Sequence, residues 1–205
     1  MVEAVDISKS YGDRLIIDKF NITIQKGDFI AVTGESGKGK TTLLNMLGLL
    51  ESSDSGNISV EGILNPNRRQ TMNIQRNLFG YIFQNYALIE NETIAQNLHI
   101  AMEYRKNINK NEQIREALFN VNLEGFVNRK IYELSGGEQQ RVALARLYVK
   151  ECLYVFADEP TGNLDKRNRD IVFDILKRLN AIGKAVVYVT HDEGLACLAD
   201  KRIEI

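Results

Sequence analysis

The chain has 205 residues, of which 44% are apolar and 26% charged. That balance is ordinary for a globular protein able to bury its own core, and it excludes disordered, collagenous and low-complexity classes. Lys and Arg total 26 against 27 Asp and Glu, a net charge of −1 that gives no support to a nucleic-acid partner. Two cysteines, Cys152 and Cys197, make no disulfide framework and point to a reducing compartment.

Residues 2–8 alternate weakly, and residues 15–25 hold Ile16, Ile17, Phe20, Ile22 and Ile24 with period-2 character toward their end. Both read as strands. Residues 28–33 form a short apolar run ending at Gly34, the pattern of a buried strand, and a helix is expected over 40–50. The segment from about 65 to 130 is richer in Asn, Gln and charge and reads as a helical insertion. Helices are expected there at 93–103 and at 111–121, where Ile114, Leu118 and Val121 recur at helical spacing. A further helix follows Gly137. Then come a strand at 153–157, a helix at 166–180, a strand at 184–190, a short helix after Asp192 and a last strand at 202–205. Strands alternating with helices imply a mostly parallel sheet. No signal peptide is visible at the N-terminus, and the densest apolar run, 43–50, is far shorter than the ~20 residues a membrane span needs. The expectation is a cytoplasmic chain, with no regulatory domain after residue 205.

Three motifs carry chemistry. Gly34-Glu35-Ser36-Gly37-Lys38-Gly39-Lys40-Thr41 follows a predicted strand and opens a predicted helix. Glycines at these places let backbone N–H groups turn toward phosphate oxygens, and the helix terminus adds a favourable dipole. Lys40 offers a point charge to phosphate, and the Thr41 hydroxyl suits Mg²⁺. Leu153-Tyr154-Val155-Phe156-Ala157-Asp158-Glu159 is an apolar strand ending in two acids. Asp158 would lie at the carboxyl edge of the sheet, positioned for Mg²⁺, and Glu159 could deprotonate an attacking water. In Leu134-Ser135-Gly136-Gly137-Glu138-Gln139-Gln140-Arg141, Ser135 is an N-cap candidate, while Gly136 and Gly137 leave N–H groups exposed at a second helix start. One nucleotide does not need two such cradles, so the second is expected to serve a nucleotide held by another subunit. A capped helix without a ligand is the bland alternative.

Together these motifs resemble the ATP-binding subunit of an ABC transporter over nearly the whole chain. Residues 134–141 resemble that family's signature sequence, and 34–41 and 153–158 its Walker A and Walker B elements. Tyr11 resembles the aromatic that stacks on adenine, and Gln84 the glutamine linking the Mg²⁺ site to the helical subdomain. Gly162-Asn163-Leu164-Asp165 resembles the D-loop, and His191 the switch histidine. Taken singly, Tyr11 reads as a strand-end tyrosine, Gln84 as a surface amide and His191 as a core histidine. Their joint order changes those readings. Walker A departs from the usual pattern at Glu35 and Lys38, and has Thr41-Thr42 where Ser-Thr is common. Within the family, residues 157–165 and 49–56 look closest to the exporter and lipoprotein-release group typified by MacB and LolD. Residues 88–98 resemble small bacteriocin-export ATPases.

The resemblance implies a P-loop α/β core with a mostly parallel sheet, an N-terminal antiparallel β subdomain and a helical subdomain inserted at about 85–150. It implies two copies clasping two MgATP head to tail, each between Tyr11, Lys40, Thr41 and Thr42 of one chain and Ser135, Gly136, Gly137 and the D-loop Asp165 of the other. Thr41, Gln84 and Asp158 would serve Mg²⁺, with Glu159 as base and His191 at the γ-phosphate. A membrane permease partner would dock on a groove rimmed by Gln84 and residues 85–89. Three rivals remain: a non-transporting regulator in the style of FtsE, a soluble ABC ATPase of DNA repair or translation, and a P-loop small-molecule kinase.

Overall fold

The computed structural model describes residues 1–162 and 164–205. A four-stranded sheet of order β2-β1-β4-β5 is formed by β1 (Val2–Tyr11), β2 (Arg14–Ile24), β4 (Ser55–Val60) and β5 (Ile63–Leu64), all paired antiparallel. A two-residue loop, Gly12-Asp13, closes the first hairpin, with Gly12 at φ +58 in the left-handed region. The weak alternation of β1 has a structural cause. Val2 and Ala4 point inward, then the pairing slips before Ile7, and Asp6 takes φ +51 at the irregularity. Gly56 of β4 lies over this bulge, where a Cβ would come 2.3 Å from the Asp6 carbonyl oxygen.

The second sheet is parallel, of order β6-β7-β8-β3-β9, from β6 (Phe79–Ile82), β7 (Tyr154–Ala157), β8 (Ala185–Val189), β3 (Phe29–Thr33) and β9 (Lys201–Glu204). Every residue of β3, β7 and β8 is buried, as expected for strands covered on both faces. Successive side chains feed opposite cores. Phe29, Ala31, Val155, Ala157, Val186 and Tyr188 pack toward α5 (Gly136–Val149) and α6 (Lys166–Ala181). Ile30, Val32, Tyr154, Phe156, Val187 and Val189 pack toward α1 (Lys40–Leu47) and the antiparallel sheet. The parallel sheet is therefore a middle layer between two hydrophobic cores.

Between β6 and β7, α3 (Ile94–Ala101) and α4 (Lys110–Asn120) pack on α5 through Ile94, Leu98, Ile114, Leu118, Val142 and Leu144. The expectation of a helical insertion from about residue 65 needs correction. Residues 65–82 contain α2 (Arg68–Asn77) and then β6, an edge strand of the parallel sheet. The strand is only four residues long, and Gly80 interrupts its apolar run, so its period was hidden. Gly80 is required by packing, since a Cβ there would meet Leu147 and Cys152 side chains at 2.6 and 2.9 Å. Helix α2 begins with a capping box between Asn67 and Gln70 but buries only Ile74, too little for a hydrophobic stripe. Among the described residues no helix is long and apolar enough to cross a membrane.

Candidate active site

Strands β7, β8 and β3 are consecutive neighbours and run in the same direction. Their carboxyl ends therefore release three loops side by side: Asp158-Glu159 after β7, Thr190-His191-Asp192 after β8, and the glycine-rich loop after β3. Ligands of open α/β sheets bind at this edge.

The glycine-rich loop is shaped for an anion. Gly34, Gly37 and Gly39 have φ of +141, +77 and +98. Gly39 is the N-cap of α1, with no side-chain capping bond and no acidic residue in the first turn, so the terminal N–H groups stay available. A Cβ on Gly39 would lie 2.4 Å from Ile16 Cγ2. Gly39→Ala is therefore expected to destabilise the fold by about 1–3 kcal/mol and to weaken nucleotide binding, read by thermal melting with and without MgATP. Lys40 is buried, and its Nζ donates to the Gly34 and Glu35 carbonyls at 2.9 and 2.7 Å. Arg14 Nη2 tethers the loop from β2 through the Gly37 carbonyl at 3.3 Å. Glu35 and Lys38 face outward and pair with each other at 3.7 Å.

A cleft of about 320 Å³ opens above this loop, lined by Ser36, Gly37, Gly39, Lys40, Thr41 and Thr42 and closed by Tyr11, Ile16, Glu159 and His191. Tyr11 is half exposed, and its hydroxyl donates to Glu51 Oε1 at 2.5 Å. Thr41 Oγ1 donates to Asp158 Oδ2 at 2.9 Å, joining the loop to the end of β7. Asp158 Oδ1 is buried with no hydrogen-bond partner among the described residues. Burial pushes the Asp158 carboxyl above its usual pKa and nearby Glu159 adds to this, against the Thr41 hydroxyl and the Lys40 charge. An orphaned carboxylate oxygen beside a threonine hydroxyl is a donor set that fits a hard divalent cation such as Mg²⁺.

Glu159 takes φ +45, which turns its side chain back across the strand end. Its Oε1 lies 2.8 Å from His191 Nε2, and its carbonyl accepts the Gly162 N–H at 3.0 Å. Residues from two separate strand ends thus converge on one point at the cleft wall. Gln84 stands apart from them, exposed two residues beyond β6 and outside the cleft lining. Its successors are strained and anchored. Tyr86 and Ala87 have positive φ, and Arg146 of α5 donates to both of their carbonyls. Asn97 holds Ile89 through its N–H and C=O at 2.8 and 3.1 Å. Ala87, Ile89 and Arg146 line a groove of about 480 Å³ that also contains Leu50, Ile100 and Tyr104.

The second helix terminus is built as its sequence suggested, but it lies outside the 320 Å³ cleft. Ser135 caps α5 in a capping box with Glu138, whose carboxyl is held below its usual range by the Ser135 hydroxyl and N–H. Ser135 and Gly136 are exposed. Gly137 is buried because Asn168 of α6 fills the space where its Cβ would go. Asp165 caps α6, binding the Asn168 N–H and side-chain amide at 2.9 and 2.7 Å. Buried Gln140 donates to the Pro160 carbonyl at 2.6 Å, tying α5 to the segment after Glu159. Asn163 of the predicted D-loop lies outside the described residues.

The fold and the nucleotide-type cleft define an ATP-binding cassette. The ABC transporter family model matches residues 17–162, and the chain belongs to that family. It is 37% identical over its whole length to the macrolide export ATP-binding/permease protein MacB of Neisseria gonorrhoeae. The MacB of Campylobacter jejuni is 36% identical, again over the whole chain. In each case the chain spans 33% of the relative's length. Among solved structures, it resembles the ATP-binding cassette MJ0796 in a dimeric post-hydrolysis state bound to ADP and Pi. That likeness has a TM-score of 0.90 and 32% identity, covering 100% of this chain and 94% of the other. A second dimeric structure of MJ0796 gives a TM-score of 0.88. The chain is therefore an ATPase domain of the ABC class.

Proposed function

We propose that this chain binds and hydrolyses MgATP to drive a membrane export system, and that it works as a head-to-tail homodimer docked on a membrane permease. The observation that carries the hydrolytic part is the cleft in which the phosphate-type loop, Glu159 and His191 converge, with Asp158 joined to it through Thr41. The whole chain is read as one ABC ATPase domain, with residues 85–150 as its helical subdomain.

Adenine stacks on Tyr11, while Lys40, Thr42 and the N–H groups of residues 34–41 hold the phosphates. Thr41 and Asp158 would hold Mg²⁺, and the family resemblance assigns Gln84 to the same ion although it stands outside the cleft here. When bound, Mg²⁺ supplies positive charge that offsets negative charge on the phosphate oxygens. Glu159 Oε1 accepts a proton from the attacking water, and His191 orients that carboxylate and the terminal phosphate. Ser135, Gly136, Gly137 and Asp165 face the nucleotide of the partner copy. These residues position and polarise, which is most of what phosphoryl transfer asks of a protein. Removing Mg²⁺ with EDTA is expected to abolish phosphate release. Asp158→Asn should lose most of the thermal stabilisation that MgATP gives the wild type.

The 480 Å³ groove supports the permease part. It exposes Ile89, Ile100 and Tyr104 and carries Arg76, Arg146 and Lys150, with no carboxylate among the described residues of its lining. A cytoplasmic helix of the membrane partner fits such a surface, and that fit supports a position on the cytoplasmic face of the membrane. Similarity to the macrolide exporter MacB supports a drug-like substrate, and the resemblance of residues 49–56 and 157–165 to the lipoprotein-release group and of 88–98 to bacteriocin-export ATPases supports a lipoprotein or a peptide. An FtsE-like mechanical role uses the same site and differs in its partner. Co-purification from membranes followed by reconstituted, ATP-driven transport tests the export reading. A partner that forms no transport path would favour the mechanical one.

A further inference from the structure

We propose that Arg169 is a positioning residue for hydrolysis, holding the loop that carries His191 through an ion pair with Asp192. This rests on the roles of Glu159 and His191 given above. Arg169 lies one turn into α6, where its N–H bonds the Asp165 carbonyl at 2.9 Å. Its Nη1 reaches Asp192 Oδ2 at 2.6 Å, with both side chains 32% exposed, and its Nε leans toward Asp170 Oδ1 at 3.5 Å.

Asp192 is the fixed point of the His191 loop. Its Oδ1 accepts the Leu195 N–H at 3.1 Å as the cap of α7 (Glu193–Ala196), and its own N–H donates to Thr190 Oγ1 at 3.0 Å. Thr190 is buried at the end of β8. His191 sits between these anchors and meets Glu159 at 2.8 Å from an exposed position, its ring 45% exposed. An exposed imidazole keeps that geometry only if the backbone on either side is held. Thr190 is held by its burial beside the sheet, and Asp192 is held from α6 by Arg169. The same arginine lines a cavity of about 250 Å³ with Glu159, Gly162, Leu164, His191 and Asp192, so the segment following Glu159 and the His191 loop share one wall. A displacement on the order of 1 Å at a reacting centre is enough to slow chemistry by as much as about 100-fold without touching substrate affinity.

The test measures MgATP turnover by the purified chain. Arg169→Ala is expected to lower kcat about 10-fold with KM for ATP within about twofold of wild type. Asp192→Asn keeps a side-chain cap on α7 and removes the charge, so it should give the same loss. The Arg169→Ala/Asp192→Asn double variant should be no slower than either single one, and Arg169→Lys should recover part of the rate. Turnover of Arg169→Ala within twofold of wild type overturns the proposal, as do losses that multiply in the double variant. A lowered melting temperature with parallel loss of ATP binding also overturns it, because the pair would then be structural only. A His191→Ala variant as fast as wild type would refute the parent reading of the site, an outcome separate from failure of Arg169 alone.

Discussion

Glu159→Gln is expected to lower steady-state phosphate release by roughly 10²–10⁴-fold, the usual contribution of a general base. ATP binding should survive, and the ATP-bound dimer should accumulate. The substitution is nearly isosteric and leaves the left-handed backbone at residue 159, φ +45, with a side chain of the same length. A glutamine can still hydrogen-bond His191 Nε2, now 2.8 Å from Glu159 Oε1, so the local packing has no cause to change. It cannot accept a proton from water. The groups expected to hold the nucleotide are elsewhere, on the loop and α1, with Lys40 fixed by two carbonyls and Thr41 by Asp158. Binding and chemistry are therefore separable at this residue. The check is a pair of measurements on one preparation: phosphate release, and size-exclusion elution with MgATP. Release near the wild-type rate would remove Glu159 as the base.

How much of this site was legible in the sequence depends on how local each feature is. The phosphate-type loop and the β7 carboxylates are contiguous runs whose chemistry follows from residue type and from the strand before them, and both stand where expected. The convergence of Glu159 on His191 is different. The two lie 32 positions apart and meet only because β7 and β8 are parallel neighbours, with Ala157 opposite Tyr188. Family order indicated His191, whereas its spacing alone did not. Arg146, Asn97, Gln140 and Arg169 gave no signal at all. Each is a polar residue on a helix whose partner is a loop more than seven positions away, and a solvated side chain reads the same way in sequence. In the fold, β4 and β6 were hidden for a related reason. They are short strands carrying glycines at close contacts, Gly56 over Asp6 and Gly80 against Leu147, and the glycine that makes the contact possible also breaks the alternation.

Ser135→Arg should abolish ATP-dependent dimerisation while leaving ATP binding by the monomer intact. The α5 terminus is well formed in this chain: Ser135 and Glu138 cap it, and Gly137 seats it on Asn168 of α6. Yet it contributes nothing to the cleft that holds Tyr11, Lys40 and Thr41. Ser135 and Gly136 remain exposed, although Gly137 is buried. An exposed helix terminus with two small residues and free N–H groups is suited to an anion that approaches from outside the chain. An arginine at 135 removes the cap, at a cost of about 0.5–2 kcal/mol, and covers the opening with a long side chain. The cap loss is modest and remote from the phosphate-type loop, so monomer affinity should hold. Dimerisation is read in the Glu159→Gln background, where the ATP-bound dimer is expected to be long-lived, by size-exclusion chromatography with and without MgATP. An unchanged dimer peak would mean that the second helix terminus is a capped helix and nothing more. Loss of the dimer with ATP binding kept would place residues 135–137 across the interface, each copy completing the other's site.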